Sequence, residues 1–432
     1  MKRLLLLTYY FPPSGGAGVQ RTLKFTKYLR DFGVEPVVLT VEAGAYPSLD
    51  PTLARDIPEG VEVIRTKALD PFGIYGALTG RSRQDAVEVG SVAERTGWAK
   101  RLGVWARANV FLPDARVGWV PFALKAARER IGRGDVDAVL TSGPPHSVHL
   151  VGLKLREQLD VLGLQWIADF RDPWTGITFY DELPMTGPAR RFDRKLERRV
   201  LRSADRVLTV SPTWARDLEL QGDLMPGGVT VIQNGFDPDD IAHVDEPVRS
   251  DAFEIAHVGS LYGSRNPEAL WAAIRLLRAE GVVPRLRIRL VGRVDAAVER
   301  SLAAHGLAEL VDRTPVVPHD EAVRAMARAG LLVLSIEDVR QDEGILTGKL
   351  YEYLASGRPV LALGPVGADA DRLLRETGGG ALVARDDVDG AAADVRMHYA
   401  AWEAGSPRPG AEAESLAQLS RRAQAGALAA MV

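Results

Sequence analysis

The feature that most limits what this chain can fold into is a rhythm: apolar runs of strand length alternate with helical patterns, and the alternation occurs twice. The first series reads Arg3–Thr8, Pro36–Val41, Ala138–Thr141, Gln165–Ala168 and Arg206–Val210. The second reads Glu254–Val258, Leu286–Val291, Leu331–Ser335, Pro359–Leu363 and a short Ala381–Val383. Near-continuous apolar strands separated by helices belong to parallel sheets buried on both faces, since a strand with no solvent face carries no polar alternation. Two such series predict an α/β protein of two doubly wound, Rossmann-like halves with a cleft between them. Gly227–Pro238 (GGVTVIQNGFDP) gathers turn formers around one strand, which puts the link near Phe236–Glu246. The expected division is therefore 1–235 and 236–410, followed by a helix from Ala411 to Met431.

Composition narrows the class. A chain of 432 residues with 46% hydrophobic content can build two cores. Its 54 basic and 57 acidic residues leave a net charge of -3, so no global field recruits nucleic acid. Zero cysteines exclude disulfides, thiolate metal sites and cysteine nucleophiles. The opening MKRLLLLTYYFPP imitates a signal peptide for a few residues, then breaks at Tyr9, Tyr10 and Pro12 without a cleavage site. It is expected to be a buried first strand of a cytoplasmic protein, and no run approaches the ~20 apolar residues of a membrane span.

The densest chemistry lies in Glu343–Ala362, EGILTGKLYEYLASGRPVLA, set between two apolar strands with Gly357 placed to end the helix. Thr347 or Gly348 would cap that helix, whose free N–H groups and positive dipole end favour an anion such as a diphosphate. Lys349 adds a full charge in the first turn. Glu352, three residues on, shares its face and can accept two hydrogen bonds from a vicinal diol such as a ribose. A capping box would need Ser, Thr, Asp or Asn where Lys349 stands.

With these residues in view, TGKLYEYLASGRPVL resembles the donor-site helix of the retaining glycosyltransferases of family 4, whose fold is GT-B: two Rossmann-like domains facing each other across a cleft. The resemblance implies that Glu352 binds the nucleotide's ribose and that the C-terminal helix, 411–432, packs back on the first domain. The family commonly places two glutamates around seven residues. Here Glu343 and Glu352 flank eight, and strict spacing selects Gly344, so either position is the candidate for the donor sugar. In AHVGSLYGSRNP, Gly259 follows a strand; Ser260 stands where many members have arginine, and Arg265 where they have lysine. Arg265 could grip a diphosphate bidentately. Val316–His319 (VVPH) is similar to the loop against which the base packs, which nominates Val317 and His319.

In the first half, FPPSGGAGVQR follows strand one, with Gly15, Gly16 and Gly18 letting backbone approach a ligand and Val19 opening a helix. As a dinucleotide fingerprint it fails, because reading G-x-G-x-x-G from Gly16 puts Arg21 at the third glycine. By resemblance Gly15 and Gly16 face acceptor and donor phosphates, and Arg21 is a candidate phosphate or acceptor contact or else an exposed first-turn arginine. His146, in TSGPPHSVHL, resembles the family's first-domain histidine near the donor sugar, with His149 a satisfied helix residue. In WIADFRDPWT, Asp169 and Asp172 could be a metal pair; the preferred reading has Asp169 capping a turn, with Asp172 and Arg171 facing acceptor hydroxyls.

The implied activity is transfer of a sugar from a nucleotide-sugar, UDP-linked for preference, to a hydroxyl acceptor with retention at the anomeric carbon. Arg265, Lys349 and the amides after Thr347 would stabilise charge on the leaving phosphate. No metal and no cofactor is required, and the D-x-D strings Asp369–Asp371 and Asp387–Asp389 are expected to be solvated turns. Pathways making polysaccharide, glycolipid or glycosylated natural products would suit such an activity. Arg190–Arg202 (RRFDRKLERRVLR) carries seven basic and two acidic residues with Phe192, Leu196, Val200 and Leu201 at near-helical spacing. It is either a solvated helix with one core stripe or, with Trp98, Trp105 and Trp119, a peripheral membrane contact implying a lipid-linked acceptor. Two alternatives stay open: an NAD-dependent oxidoreductase, and a sugar-nucleotide binding protein without transfer activity.

Overall fold

A computed structural model describes residues 1–44, 46, 48–69, 98–177, 180–241 and 250–432, with backbone alone for 98–102. The chain forms two compact units, residues 1–233 with 424–432, and residues 234–423. The second half of the expected link, 242–246, lies outside the described residues.

The first unit is built on a seven-stranded parallel sheet: β1 (Lys2–Leu7), β2 (Val34–Val41), β3 (Glu62–Thr66), β4 (Ala138–Gly143), β5 (Gln165–Phe170), β6 (Arg206–Thr209) and β7 (Val229–Val231), in the order β3-β2-β1-β4-β5-β6-β7. β1 is hydrogen-bonded on both sides, Leu4–Leu7 running beside Leu4's partners Pro36 and Ala138 and onward to Leu39 and Thr141. That central place explains the leucine run: Leu5 and Leu7 enter one core with Val37, Leu39 and Val139, while Leu4 and Leu6 enter the core on the other face with Phe25, Leu140 and Ile167. Each buried leucine contributes ~1.5–3 kcal/mol. Three helices of this unit matter below: α1 (Ala17–Tyr28), α2 (Ser147–Leu162) and α3 (Gly187–Ser203).

The second unit repeats the scheme with six parallel strands: β8 (Phe253–Val258), β9 (Leu286–Val291), β10 (Val311–Thr314), β11 (Leu331–Ser335), β12 (Val360–Leu363) and β13 (Gly380–Val383), in the order β10-β9-β8-β11-β12-β13. Its helices α4 (His319–Arg328) and α5 (Gly348–Ala355) flank β11 in the chain. In both sheets the order reverses beside the unit's first strand, at β1/β4 and β8/β11. Ligands of open α/β sheets collect at the carboxyl ends of the strands at such a switch point.

Several expectations change. The helix foreseen from Ala411 to Met431 is broken into Ala413–Leu416, a 3-10 turn Ala417–Leu419 and Arg421–Ala429. Ser420 interrupts it because its hydroxyl accepts from Ala423 N–H at 3.1 Å, a capping bond that favours extended backbone there. Leu416 and Leu419 join the second unit's core, and only 424–432, through Ala425 and Leu428, joins the first. Asp369 and Asp371 are not solvated: they are buried in the first turn of the helix Asp369–Thr377, paired with Arg372 and Arg375. Asp387 caps the helix Val388–Glu403 by accepting from Gly390 N–H at 2.8 Å.

Candidate functional site

In the second unit β8 ends at Gly259, whose φ of 117° suits glycine. A Cβ there would fall 2.4 Å from Lys349 Cε and Nζ, so the missing side chain is what admits the lysine. Lys349 Nζ donates to Ser260 O at 3.1 Å and lies 3.3 Å from His257 Nε2. Burial first, and then Arg265, draw the Lys349 ammonium down to about 8, with Glu352 opposing. Arg265, in the turn Gly263–Arg265, reaches Glu337 beyond the end of β11, Nε at 3.4 Å and Nη2 at 3.3 Å.

Thr347 is the N-cap of α5, yet its side chain makes no capping bond and its buried Oγ1 has no partner. The N–H groups of the first turn and this hydroxyl are thus grouped beside Lys349. Tyr353, one turn further, holds the helix to the sheet: its hydroxyl accepts from Val258 N–H at 2.8 Å and donates to Val258 O at 3.1 Å. Glu352 is half-buried, and its carboxylate makes no hydrogen bond among the described residues. Burial pushes its carboxyl above the ordinary range; Asp240 adds to the shift, while His319, Arg421 and Lys349 oppose it. His319 opens α4 and sits 3.1 Å from Asp240. Val317 is half-buried and lines a cavity of about 250 Å³ with Arg289, Thr314 and Arg328. Glu343 is exposed on the turn Asp342–Gly344, with Gly344 buried.

In the first unit the loops after β1, β4 and β5 converge. Gly16, φ 86°, is the N-cap of α1, which starts at Ala17 rather than Val19. Gly15 N–H donates to Ser48 O at 2.9 Å. Arg21 therefore lies a full turn inside α1, and both readings of it need correction. It is 1% exposed; Nε and Nη2 bind the Asp169 carboxylate at 2.9–3.2 Å, and Nη1 donates to Ile232 O and Gln233 O. With four of its five N–H groups so engaged and the side chain buried, Arg21 is not presented to a phosphate or an acceptor. Asp169 is correspondingly a buried strand residue, also accepting from Ser142 Oγ at 2.7 Å, rather than a turn cap or half of a metal pair. Arg171 is corrected likewise: buried, it donates to Gly18 O, Gly143 O and Pro144 O, tying the loops after β1 and β4 together.

These ties do not engage Asp172 or His146. Asp172 is half-buried, and its carboxylate has no hydrogen bond among the described residues; burial raises its carboxyl, Arg171 opposes the effect and Asp169 adds to it. His146, 7% exposed at the N-cap of α2, stacks on Trp174 at 5.3 Å with rings 7° apart, and neither ring nitrogen has a partner. Burial, His149 and Arg171 together hold it neutral, well below the usual imidazole range. His149 is only half satisfied: Nδ1 meets Thr141 Oγ1 at 2.9 Å, while Nε2 is buried alone.

The segment that carries Asp172 is held by α3. Asp193 accepts from Trp174 Nε1 at 3.0 Å and Tyr180 OH at 2.9 Å; Glu197 accepts from Thr175 N–H at 3.2 Å and from its hydroxyl. The expected apolar stripe is thus wrong in part. Phe192 is 53% exposed, and the inward face reads Ala189, Asp193, Glu197, Val200 and Leu201. Trp119 is fully buried and bonds Thr66, so it cannot serve a membrane surface; the Trp98 side chain lies outside the described residues, and Trp105 is partly exposed. Sequence reasoning also missed His257, Glu337, Tyr353 and the two α3 carboxylates. His257 had a signal: a histidine in an apolar strand, two residues before the glycine at its exit.

Family models match most of the chain, one described as Glycosyltransferase Family 4 over residues 77–240 and one as Glycosyl transferases group 1 over residues 252–400. Among solved structures, sucrose-phosphate synthase from Thermosynechococcus elongatus is 17% identical, with 100% of this chain and 98% of that one covered and a TM-score of 0.61. A glycosyltransferase from Rickettsia africae is 13% identical over 100% and 97%, with a TM-score of 0.60. Anabaena HepE, solved in complex with UDP and glucose, is 15% identical over 100% and 95%, with a TM-score of 0.55. No curated protein matches the chain. Two sheets in the same strand order, each with its switch point, and both family matches define one class: the chain belongs to the group 1, family 4 glycosyltransferases and has the GT-B fold.

Proposed function

We propose that this glycosyltransferase moves a sugar from a nucleoside diphosphate sugar to a hydroxyl acceptor with retention of anomeric configuration. The observation that carries the reading is the meeting of Lys349, Arg265 and the uncapped amino end of α5 at the β8/β11 switch point. Breaking the anomeric bond leaves charge on the distal phosphate; the lysine, the guanidinium and the helix amides are fixed donors for it. Glu352, whose carboxylate makes no hydrogen bond among the described residues, accepts from the ribose diol, with Val317 and His319 toward the base and Glu343 or Gly344 toward the sugar. In the first unit, Asp172 is the acceptor-side group and His146 the one near the donor sugar, with Gly15 supplying backbone toward the acceptor and Gly16 toward the donor. HepE's complexes with UDP support a UDP-linked donor. The donor is a co-substrate, and the reading calls on no metal and no resident cofactor. The acceptor is a sugar, a lipid-linked sugar or a small molecule.

The test is donor turnover by Lys349→Ala and Glu352→Ala proteins whose circular dichroism matches the parent, screened with UDP-, GDP- and dTDP-sugars. Loss of one such donor group costs ~3 kcal/mol, so nucleoside diphosphate release should fall at least a hundredfold. Normal turnover in either variant overturns the site. Donor binding without release would favour a non-catalytic binder, and a melting shift with NADH instead of nucleotide-sugars would favour an oxidoreductase.

A further inference from the structure

We infer that His257 is a positioning residue for Lys349, a neutral hydrogen-bond acceptor that aims the ammonium at the nucleotide's phosphates. This rests on the nucleotide-sugar reading above. Val333 O, 3.0 Å from Nδ1, can only accept, so Nδ1 carries the ring hydrogen and Nε2 presents its lone pair. That lone pair faces Lys349 Nζ at 3.3 Å; Ser260 O, which accepts a second ammonium N–H at 3.1 Å, also lies 3.4 Å from Nε2, and the shorter Nδ1 contact with Val333 O is what keeps the ring hydrogen on Nδ1. Two acceptors at the end of β8 thus take two of the ammonium's three hydrogens, leaving one for a ligand. The tautomer is dictated by the neighbouring strand β11, so the aim of the lysine is written into the pairing of β8 with β11.

The arrangement works only with an uncharged ring. His257 is buried, and burial with Lys349 and Arg265 nearby holds it at about 4, so it stays neutral across the physiological range. The charged groups around the pair are Arg265, whose own partner is Glu337, and Glu352 on α5. Arg265 repels the ammonium and Glu352 attracts it; the imidazole lone pair adds stabilisation of the charged form without adding a negative charge that would repel a diphosphate. An aspartate in the same place would hold the lysine more tightly and also neutralise it toward the ligand.

The test uses the full chain with His257→Phe, which keeps ring volume but has no acceptor, and His257→Gln, which restores a neutral acceptor. Lys349 is followed by NMR of its side-chain Cε–H signals through a pH titration without ligand, and UDP and GDP affinity is measured by calorimetry at pH 7.5. In His257→Phe the Lys349 midpoint should move down and the affinity of whichever nucleotide the parent binds should weaken about tenfold, as for loss of one hydrogen bond to a charged group. His257→Gln should recover most of both. A Lys349 midpoint unmoved in His257→Phe, or a Gln variant no better than Phe, overturns the proposal. If the midpoint moves as expected but the parent binds neither nucleotide, the pair stands and the nucleotide-sugar reading fails. If His257→Phe does not fold, as judged by circular dichroism, the comparison of parent and His257→Gln decides: a Gln protein with the parent's midpoint and affinity supports the role, and one with both lost overturns it.

Discussion

Arg21 shows what a charged residue in a glycine-rich phosphate-like loop can turn out to be. Its donors are shared between the Asp169 carboxylate and the carbonyls of Ile232 and Gln233, so one side chain stitches α1, β5 and the end of β7 together. Removing one partner of such a pair strands the other charge in the core, which costs ~3–5 kcal/mol. Arg21→Met should therefore lower the unfolding free energy by that amount, read as a fall in the urea midpoint at an unchanged denaturant slope, and nucleotide affinity per folded molecule should stay at the parent value. The sequence could not show this, because the partner is 148 residues away and helix onset two residues earlier than expected turns the side chain inward. Lys349 and Glu352 were legible for the opposite reason: their spacing on one helix face, right after a strand, is local information.

At the scale of elements, the central parallel strands announced themselves through the apolar runs Leu4–Leu7, Ala138–Leu140, Leu331–Leu334 and Val360–Leu363, and through β8, whose apolar residues are broken only by Glu254 and His257. The edge strands β3 and β10 did not; each is flanked on one side only and carries charged residues such as Glu62, Arg65, Asp312 and Arg313. The inward face of α3 was hidden too, because two carboxylates occupy positions where an apolar stripe was expected. Those carboxylates predict a pH dependence. Burial raises Asp193 to about 6 and Glu197 to about 7, while both would titrate near 4 in the unfolded chain. The folded state then binds protons more tightly, so the stability they confer is complete below about pH 4 and is lost as pH rises through 6 to 7. Glu197→Gln should flatten the decline in melting temperature between pH 5 and 8, which a set of buffered melts will show. Tyr353→Phe belongs to this scale as well. It leaves Val258 N–H buried without a partner and should cost ~1–3 kcal/mol in chemical denaturation.

Over the whole molecule, two units each possess their own core clusters, and the proposed phosphate site belongs to the second alone. Ligand binding stabilises the unit that binds by RT ln(1 + [L]/Kd), about 2.7 kcal/mol at a hundredfold excess over Kd. Scanning calorimetry with increasing UDP should accordingly raise a transition assigned to residues 234–423, and a uniform rise or none would place the ligand elsewhere. The division of the chain has a practical corollary. Residues 234 and 423 are the two ends of one unit, and near them Phe236 pairs with Ser420 while Arg421 Nη1 reaches Asn234 Oδ1 at 3.2 Å. The unit is thus a cassette with its two seams side by side, and those seams are where a recombinant chimera would exchange it for the matching segment of a relative.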